Sequence, residues 1–405
     1  WGLYPKHEPK DVRKVFWRSE LPDLGAIDGS VLAYGCGKSY GDSCQNGDGT
    51  LIDMRGMNRF IRFDPENAIF CAEAGVTLAQ ALDFLVPRGW FLASTPGTKY
   101  ITLGGAVAND VHGKNHHKRG TFGSNVLRFE LVRSSGERFV CSRDENPEMF
   151  SATIGGLGLT GIIAWVEFKI IPVRSAFIAN ENIKYDSLDG FFDINDESEN
   201  SFDYTVSWVD CTATDGSLGR GIFNRGRHAD PAIDEVPKER PAKAIDFPIS
   251  APFINKYSVE AFNRMYFHKQ NERVNRAVVH YNSFFYPLDA FHNWNRAYGA
   301  NGFLQYQFVV PFGGERQMLR EFLRQVGKSG LSSFLVVLKT FGDTPSPGML
   351  SFPRPGLTLA IDFRITGEDT FSLCRRLDAI VKEYGGVLYP AKDSRMAGED
   401  FRAFY

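Results

Sequence analysis

The sequence lacks several features that would point to whole classes of protein. Its 405 residues contain only 6 cysteines, and because no two of them form a CxxC pair we expect neither a disulfide framework nor a zinc site. The formal net charge of −2 gives no positive excess for binding nucleic acid, so no nucleic-acid partner is expected. The apolar run from Gly161 to Ile171 is interrupted by Glu167 and Lys169. It is shorter than the ~20 residues that span a bilayer, so we expect no transmembrane segment.

The composition is that of a folded protein with large buried surfaces and many tight turns. The chain is 43% hydrophobic and contains 34 Phe and 40 Gly, which indicates aromatic packing and backbone that approaches other groups closely. Its length suits two domains better than a single core. Because the chain begins at Trp1 rather than Met, we expect the true N-terminus to precede this residue.

Residues 1–175 alternate strand patterns with helices and glycine-rich turns. The segments Val31–Tyr34 and Thr50–Asp53 are predicted strands. Thr77 is predicted to cap a helix that reaches about Val86, with leucines along one face. The pattern of this half therefore favours an α/β arrangement.

From about residue 176 the pattern changes to strands separated by helices. The strand-like segments are Ser201–Trp208, Gly302–Pro311, Ser333–Lys339 and Leu357–Phe363, and helices are predicted over Glu315–Val326 and Phe371–Tyr384. This order indicates an antiparallel sheet with covering helices, an α+β domain. Two proline-containing stretches, Asn224–Pro252 and Gly342–Gly356, are predicted to be mobile surface loops.

Three glycine-rich segments of the first half are candidates for binding a phosphate-bearing cofactor. Tyr34–Asp42 ends a strand, and its glycines allow backbone N–H groups to point inward as a nest for phosphate oxygens. Pro96–Ala106 and Val111–Gly123 contain further glycines, which let the backbone approach a flat or charged ligand. One such turn is equally consistent with an ordinary loop, but three on one α/β domain indicate a long diphosphate cofactor.

The segment Gly156–Gly161 matches GxGxxG, the pattern of dinucleotide-binding Rossmann domains. That motif must follow a strand and open a helix. Here a helical pattern over Pro147–Ala152 precedes the glycines and a strand pattern follows them. A nicotinamide-dependent dehydrogenase is rejected on this ground.

The order of these motifs is similar to that of a known flavoprotein family. Gly-x-Gly-Lys-Ser-Tyr-Gly-Asp, Pro-Gly-Thr, Thr-x-Gly-Gly-Ala, His-Gly-Lys-Asn-His-His and Gly-Gly-x-Gly-Leu-Thr-Gly resemble the FAD domain of the vanillyl-alcohol oxidase superfamily. Nearly the whole chain resembles the decaprenylphosphoryl-β-D-ribose 2-oxidase family, with further similar stretches at Trp294–Gly299, Gly302–Phe308, Leu350–Pro353 and Ala391–Arg395. The resemblance implies a two-domain α+β fold of the PCMH type. Its FAD-binding domain would comprise residues 1–175, rejoined by 387–405, and its antiparallel-sheet substrate domain residues 176–386.

The resemblance also implies an FAD-dependent oxidoreductase that acts on an alcohol. Members of this family oxidise the 2-hydroxyl of a polyprenyl-phosphate-linked ribose to a keto group. A short-chain-type reductase then completes the epimerisation that supplies arabinose for cell-wall arabinan. Such a substrate implies peripheral contact with the cytoplasmic or periplasmic face of the inner membrane. A soluble alditol or aldonolactone is the alternative substrate, and a non-catalytic binding module is the alternative class of protein.

The FAD contacts implied by the resemblance lie in the glycine-rich segments and at a few positions outside them. They are Ala33, Tyr34, Gly35, Cys36, Gly37, Lys38, Ser39, Tyr40, Gly41, Asp42, Ser43, Gly97, Thr98, Thr102, Leu103, Gly104, Gly105, His112, Ile163 and Tyr389. Some superfamily members tether FAD to a histidine of the first glycine loop, at the place of Lys38 in this chain. We therefore expect non-covalent FAD, with His112 and His116 as the remaining conceivable attachment points.

Four polar residues, Lys392, Gln307, His112 and Lys114, are predicted to act in catalysis. Alcohol oxidation by a flavin needs a group that removes the hydroxyl proton or stabilises the developing alkoxide, and a desolvated Lys392 suits either role. Without the resemblance, a surface lysine would be the better interpretation of this residue. His112 and Lys114 are candidates to offset charge on reduced flavin or to bind the substrate phosphate. Gln307 is a candidate to hydrogen-bond sugar hydroxyls.

Further residues are predicted to line the substrate pocket, namely Tyr40, Trp208, Phe285, Gln305, Lys339 and Ala360. For the aromatic ones, core packing explains the sequence nearly as well. Actinobacterial members of the family have cysteine at the place of Ala360 and tyrosine at the place of Phe285, so thiol-directed inhibitors are not expected to attach at Ala360. His116 and His117 lack a third ligand at suitable spacing, and no metal site is predicted.

Overall fold

The structure is a computed structural model that describes residues 1–230, 243–244 and 254–405. Its strands in chain order are β1 (Asp11–Lys14), β2 (Val31–Tyr34), β3 (Thr50–Asp53), β4 (Phe60–Asp64), β5 (Ile69–Glu73), β6 (Trp90–Leu92), β7 (Val126–Val132), β8 (Arg138–Ser142), β9 (Ile162–Pro172), β10 (Phe177–Tyr185), β11 (Tyr204–Val209), β12 (Gly221–His228), β13 (Lys243–Ala244), β14 (Val274–His280), β15 (Phe291–His292), β16 (Phe303–Val310), β17 (Val336–Phe341), β18 (Gly356–Arg364) and β19 (Val387–Leu388). Its α-helices are α1 (Leu78–Leu85), α2 (Leu103–Ala108), α3 (His116–Arg119), α4 (Pro147–Thr153), α5 (Leu188–Glu199), α6 (Lys256–Lys269), α7 (Tyr281–Phe285), α8 (Glu315–Ser329), α9 (Glu368–Glu383) and α10 (Gly398–Phe404).

Two sheets are formed by the first half of the chain. Strands β1, β3 and β2 pair in parallel, whereas β4, β5, β9, β7 and β8 form an antiparallel sheet to which β6 adds by pairing with β9. The predicted strands Val31–Tyr34 and Thr50–Asp53 are confirmed residue for residue. Helix α4 precedes Gly156–Gly161 and β9 follows it, so the expected order, opposite to that of a Rossmann motif, is also confirmed.

Helix α1 forms where the local sequence predicts it. The Thr77 hydroxyl accepts a hydrogen bond from the Gln80 N–H at 3.2 Å, and the Gln80 side chain accepts one from the Thr77 N–H at 2.9 Å. This capping box satisfies N–H groups that a helix start otherwise leaves without partners. Leu78, Leu82 and Leu85 are fully buried on the inner face of the helix, as their spacing predicts.

The second half of the chain contains an eight-stranded sheet in the order β14, β10, β12, β11, β17, β18, β16 and β19, in which all pairs are antiparallel. The predicted antiparallel sheet with covering helices is thereby confirmed, and with it the α+β class. Helices α5, α8 and α9 cover one face, where Phe308 and Phe322 share a core. Because side chains alternate along a strand, Gln305 and Gln307 of β16 point away from these helices, into a cavity.

The sheets bear on how the chain divides into domains. Strand β10 is the first to enter the eight-stranded sheet and β19 the last. After β19 the chain returns to the first half, where the Tyr389 hydroxyl donates to the Asn109 carbonyl at 2.8 Å. The boundaries 1–175 with 387–405 and 176–386 stay a prediction, because β19 itself still pairs with β16.

The loop Gly342–Gly356 is held against the first half of the chain, so its interpretation as a mobile surface loop is wrong. The hydroxyls of Ser346 and Ser351 donate to the fully buried Asp110 carboxylate at 2.5 and 2.6 Å. Phe352 of the same loop is only 1% exposed. Its proline content indicated irregular backbone correctly, but the contacts that fix it come from residues more than two hundred positions away in the chain.

The other predicted loop, Asn224–Pro252, is also corrected in part. Its first residues, as far as His228, belong to β12. Apart from the short strand β13, the portion after residue 230 lies outside the described residues. Across the part of the chain that the structure describes, no helix is both long enough and apolar enough to cross a membrane.

Candidate active site

A cavity of about 610 Å³ lies between the sheets of the first half and the eight-stranded sheet. This volume is within the ~300–1,000 Å³ typical of ligand pockets. The first half contributes its three glycine-rich segments and part of Gly156–Gly161. The second half contributes strands β10, β11, β12, β16, β17 and β18 and the segment that follows β19. Residues that are distant in sequence therefore converge on one cavity.

The residues singled out in the sequence lie mostly in the wall of this cavity. All the predicted catalytic residues (Lys392, Gln307, His112, Lys114) and all the predicted substrate-pocket residues (Tyr40, Trp208, Phe285, Gln305, Lys339, Ala360) line it. So do the predicted FAD contacts Ala33, Tyr34, Gly35, Cys36, Gly37, Lys38, Ser39, Ser43, Gly97, Thr98, Thr102, Gly104, Gly105, Ile163 and Tyr389.

Three of the predicted FAD contacts, Gly41, Asp42 and Leu103, do not line the cavity and stay predictions. A Cβ at Gly41 would overlap the backbone carbonyl of Asp393, so the chain packs tightly at that point. Asp42 is exposed, between the cavity-lining residues Tyr40 and Ser43. Leu103 is fully buried in the core of the first half, because α2 directs this side chain toward the sheet.

Two glycines leave room in the cavity wall that a side chain would fill. A Cβ at Gly97 meets no atom within 4 Å, and one at Gly105 meets only the Thr102 hydroxyl, at 3.1 Å. Gly104 differs, because a Cβ at this position would lie only 3.1 Å from the Cβ of Ala74. The absence of a side chain at Gly104 therefore allows α2 to pack closely. The open backbone at Gly97 and Gly105 fits the close approach of a flat or phosphate-bearing group such as FAD.

His112 lies at the centre of a polar cluster. Its Nδ1 is 2.9 Å from Nζ of Lys339, which also donates to the Gly113 carbonyl at 2.6 Å. Its Nε2 is 3.2 Å from Nε2 of Gln307. Burial, together with the neighbouring lysines, holds the pKa of His112 well below its usual value, and burial does the same to the pKa of Lys339.

Gln307 joins this cluster to Thr358 of β18. The Thr358 hydroxyl donates to the Phe308 carbonyl at 2.7 Å, so it must accept from the Gln307 amide N–H at 3.1 Å. The same amide nitrogen faces Nε2 of His112. Oε1 of Gln307 is left without a partner among the described residues.

Lys392 and Lys114 complete the set of bases. Nζ of Lys392 lies 5.1 Å from the Tyr40 ring centroid, and burial lowers the pKa of Lys392 to about 8 against the opposing effect of Asp362. Nζ of Lys114 donates to the Phe284 carbonyl and lies 4.5 Å from the ring of that residue. Burial lowers the pKa of Lys114 to about 7. Both lysines can exchange a proton near neutral pH.

Asp362 was missed in the sequence. Its carboxylate is 1% exposed and accepts from the Gln305 amide at 2.6 Å and from the Tyr298 hydroxyl at 3.0 Å. Burial raises the pKa of Asp362 to about 6, although these hydrogen bonds and Lys392 oppose the shift. The alternation of β18 could have found it, because residues at even spacing from Ala360 share its face of the strand. The same alternation leads to Thr358.

A further wall of the cavity is built by β10, β11 and β12 and was largely unforeseen. Asn224 donates to the side-chain oxygens of Asn180 and Asn182 at 2.9 and 2.7 Å, and these three asparagines line the cavity. Next to them Trp208 donates from its indole to the Phe334 carbonyl at 3.0 Å. This part of the cavity is mainly apolar, with Val206, Ile222, Tyr266, Val279 and Val337 in its wall.

Tyr389 connects the segment after β19 to the first half. Its ring stacks on Phe352 with centroids 4.4 Å apart and planes at 14°, and lies 5.5 Å from the ring of His112. Since its hydroxyl donates to Asn109 at the end of α2, this ring holds the loop, the glycine-rich helix and the polar cluster in one arrangement. Among the described residues no group of three or more His, Cys, Asp or Glu suits a metal ion.

Comparison with known proteins relates the cavity to flavoenzymes. A family model described as an FAD binding domain matches residues 26–142. The chain is 37% identical over 387 residues to decaprenylphosphoryl-β-D-ribose oxidase of Mycolicibacterium smegmatis. This alignment covers 93% of this chain and 83% of the relative. An uncharacterized protein of Streptomyces coelicolor is 29% identical over 346 residues, covering 82% of this chain and 92% of its own. L-Gulonolactone oxidase of Bos taurus is 30% identical over 175 residues, 42% of this chain and 39% of that protein.

Proposed function

Because the chain belongs to the decaprenylphosphoryl-β-D-ribose oxidase family, we propose that it oxidises the 2-hydroxyl of a polyprenyl-phosphate-linked ribose to a 2-keto sugar. It is an FAD-dependent oxidoreductase. One observation carries the choice of chemistry. Four bases, the buried Lys339 and the half-buried Lys392, His112 and Lys114, line a cavity together with the free amide oxygen of Gln307, and this cavity continues to the open backbone at Gly97 and Gly105. The open backbone at these two glycines suits the binding of FAD, and the four bases suit the removal of a proton from a sugar hydroxyl.

The glycine-rich segments would hold FAD without a covalent bond. When bound, FAD supplies the acceptor for the hydride that leaves the carbon. Lys38, which stands where some flavoproteins have the tethering histidine, has its Nζ 3.5 Å from the Trp1 ring centroid. His116 does not line the cavity, and His112 uses both ring nitrogens within the cluster. Denaturation of the purified protein should therefore release all of its flavin into the supernatant, and flavin that stays with the polypeptide would contradict this.

Lys392 is the proposed group at the reacting hydroxyl. With a pKa of about 8, about one lysine in ten is neutral at pH 7 and can accept the hydroxyl proton. Oε1 of Gln307 can accept a hydrogen bond from a sugar hydroxyl and so orient it. Lys114, whose pKa is about 7, would become fully charged beside the substrate phosphate, since an anion raises the pKa of a lysine.

The substrate is tested by mixing purified protein with polyprenyl-phosphoryl ribose, free alditols or aldonolactones and following flavin bleaching. Bleaching by the lipid-linked ribose supports the proposal. Bleaching by free alditols or lactones alone would replace it with the alternative of a soluble substrate. The similarity to L-gulonolactone oxidase covers only 42% of this chain, whereas that to decaprenylphosphoryl-β-D-ribose oxidase covers 93%, and this difference favours the lipid-linked sugar as substrate.

The role of Lys392 is tested by Lys392→Ala, with Lys382→Ala on the outside of α9 as the matched control. The Lys392 variant should keep its FAD and lose a factor on the order of 10²–10⁴ in the rate of bleaching. The control should bleach at the wild-type rate. A Lys392 variant that turns over normally would contradict the assignment.

The proposed substrate also suggests partners. A 2-keto sugar must be reduced at the same carbon to complete an epimerisation, so we expect a short-chain-type reductase to consume the product and supply arabinose for the cell wall. We also expect the enzyme to work at a membrane surface, because polyprenyl chains reside there. Co-purification of reductase activity with the membrane fraction that holds this protein would support both expectations.

A further inference from the structure

Helix α6 exposes apolar side chains on the surface of the second half. Only Val259, Asn263 and Phe267, a narrow stripe at i, i+4 and i+8, are buried. Tyr257 is 79% exposed and Met265 62%. An ordinary surface helix buries its apolar side chains and presents polar ones to water. Here the buried stripe does not include the apolar residues that are most exposed.

The exposed apolar residues lie on one half of the helix. At ~100° per residue, the apolar residues outside the buried stripe occupy about half of the helix circumference, and they are Tyr257, Ala261, Phe262, Met265 and Tyr266. The polar residues Ser258, His268 and Lys269 fall within the same half. Phe262 and Tyr266 are 41% and 40% exposed, and their rings stack at 6.0 Å with planes at 12°. Exposed large apolar residues grouped on one side of a surface helix commonly mark a binding site.

The charges of the helix specify the kind of partner. Lys256, Arg264 and Lys269 are exposed on α6, against a single acidic residue, Glu260. At ~100° per residue, Arg264 adjoins the apolar half of the helix beside Tyr257, Lys269 lies within that half, and Lys256 lies at the N-terminal end on the side of the buried stripe. Exposed apolar and cationic side chains on one helix are typical of segments that lie in the interface of an anionic bilayer. The lysine and arginine stems can extend toward phosphate groups while the aromatic rings enter the acyl region.

The apolar surface continues into the active-site cavity. Tyr266 is both part of this surface and part of the cavity wall. Its ring meets that of Trp208 edge-on at 4.7 Å, and Trp208 lies in the apolar portion of the cavity beside Val206 and Ile222. A prenyl chain that leaves a bilayer at α6 would therefore meet apolar side chains without interruption as far as the cavity.

We propose that α6 is the membrane-binding surface of this protein, and that it seats the cavity mouth on an anionic lipid bilayer from which the prenyl chain of the substrate enters. The proposal rests on the proposed function for the identity of the substrate. The binding of the bilayer itself rests only on the exposed apolar residues and charges of α6.

The experiment uses the full-length FAD-loaded protein with vesicles of phosphatidylglycerol and phosphatidylcholine, and measures the sedimented fraction. In the variant, Tyr257→Ser and Met265→Ser are combined, since neither residue lines the cavity. Its partition coefficient should fall at least about tenfold. Phe312→Ser is the matched control, because Phe312 is 53% exposed at the far end of β16, and it should sediment like the wild type. Wild-type binding should also fall in pure phosphatidylcholine or high salt.

The outcomes separate this inference from the proposed function. Turnover of a short-chain, water-soluble prenyl-phosphoryl ribose should stay within about twofold in the double variant, because the chemistry does not use α6. A double variant that sediments like the wild type would overturn the inference. The inference would also be overturned if the wild-type protein did not bind vesicles but formed a dimer through α6. Such a dimer would be recognised by a molecular mass in solution that falls to that of a monomer in the double variant. Vesicle binding without any ribose turnover would leave the α6 surface in place and remove only the substrate assignment.

Discussion

Replacing Asp362 by asparagine should lower the pKa of Lys392 and shift the pH profile of substrate oxidation. The carboxylate is buried and opposes the desolvation that lowers the pKa of this lysine. At an effective dielectric constant of ~20, Coulomb's law gives on the order of 2–4 kcal/mol for two charges a few ångströms apart, or roughly two pKa units. The expected shift is therefore about one to three units toward lower pH.

The substitution is close to isosteric, and the local hydrogen bonds can survive it. The new amide oxygen can still accept from the Tyr298 hydroxyl, and the new N–H can donate to Oε1 of Gln305, which has no partner among the described residues. The side chain therefore stays in place while its charge disappears. The effect on Lys392 is then electrostatic rather than steric.

The assay is anaerobic flavin bleaching by substrate, followed in single turnovers from roughly pH 6 to roughly pH 10. If neutral Lys392 acts as the base, the acidic limb of the rate profile moves to lower pH. If charged Lys392 stabilises the alkoxide, the alkaline limb moves to lower pH instead. Asp369→Asn, at an exposed position of α9, should leave the profile unchanged. An Asp362 variant with both limbs at their wild-type positions would refute the coupling between the two residues.

Three further predictions follow from the same contacts. Gly97→Val should weaken FAD binding by at least about tenfold in a titration while leaving the apo-protein melting temperature unchanged, because its side chain fills open cavity space. The stability of the apo protein should rise with pH between about 7 and about 10, since the unfolded state binds more protons there, and Lys114→Met should flatten that rise. Asp110→Ala should speed proteolysis within residues 342–356 and lower stability by about 3 kcal/mol, because it removes the hydrogen bonds that hold this loop.

Each of these has a control and a contradicting result. Gly216→Val, at an exposed position with nothing within 4 Å, should leave FAD affinity intact, and equal losses in both glycine variants would disprove a cavity effect. Lys118→Met, at an exposed position, should not change the slope of stability against pH. Asp343→Ala, exposed in the same loop, should be cleaved at the wild-type rate. A protease-resistant Asp110 variant would show that other contacts hold the loop.

Much of the local structure could be predicted from the sequence. The strands Val31–Tyr34 and Thr50–Asp53 and the capping of α1 by Thr77 are set by side chains within a few residues of one another. Elements of the second half were found, but their ends moved by a few residues. The predicted strand Ser201–Trp208, for example, begins at Tyr204 in the sheet, because strand ends depend on where a partner strand stops.

The candidate site was predicted unevenly. Lys392 and Gln307, which the motifs single out as candidates for catalysis, both line the cavity. Asp362 and Asn224 were missed, because a polar residue in a strand becomes significant only when the sheet brings another strand beside it. Leu103 packs its side chain into the core of the first half, because a glycine-rich motif does not reveal which of its side chains turns inward.

The sequence by itself determined the glycine-rich turns, the helix cap, the alternation of the strands and the presence of residues able to serve a flavin and a sugar. These depend on backbone freedom and on hydrogen bonds between near neighbours. Only the tertiary structure decided that Lys339 meets His112, that Asp110 holds the loop 342–356 and that α6 keeps its apolar side chains exposed. Each of these joins residues separated by many others, so it depends on strand register and helix placement that no local pattern specifies.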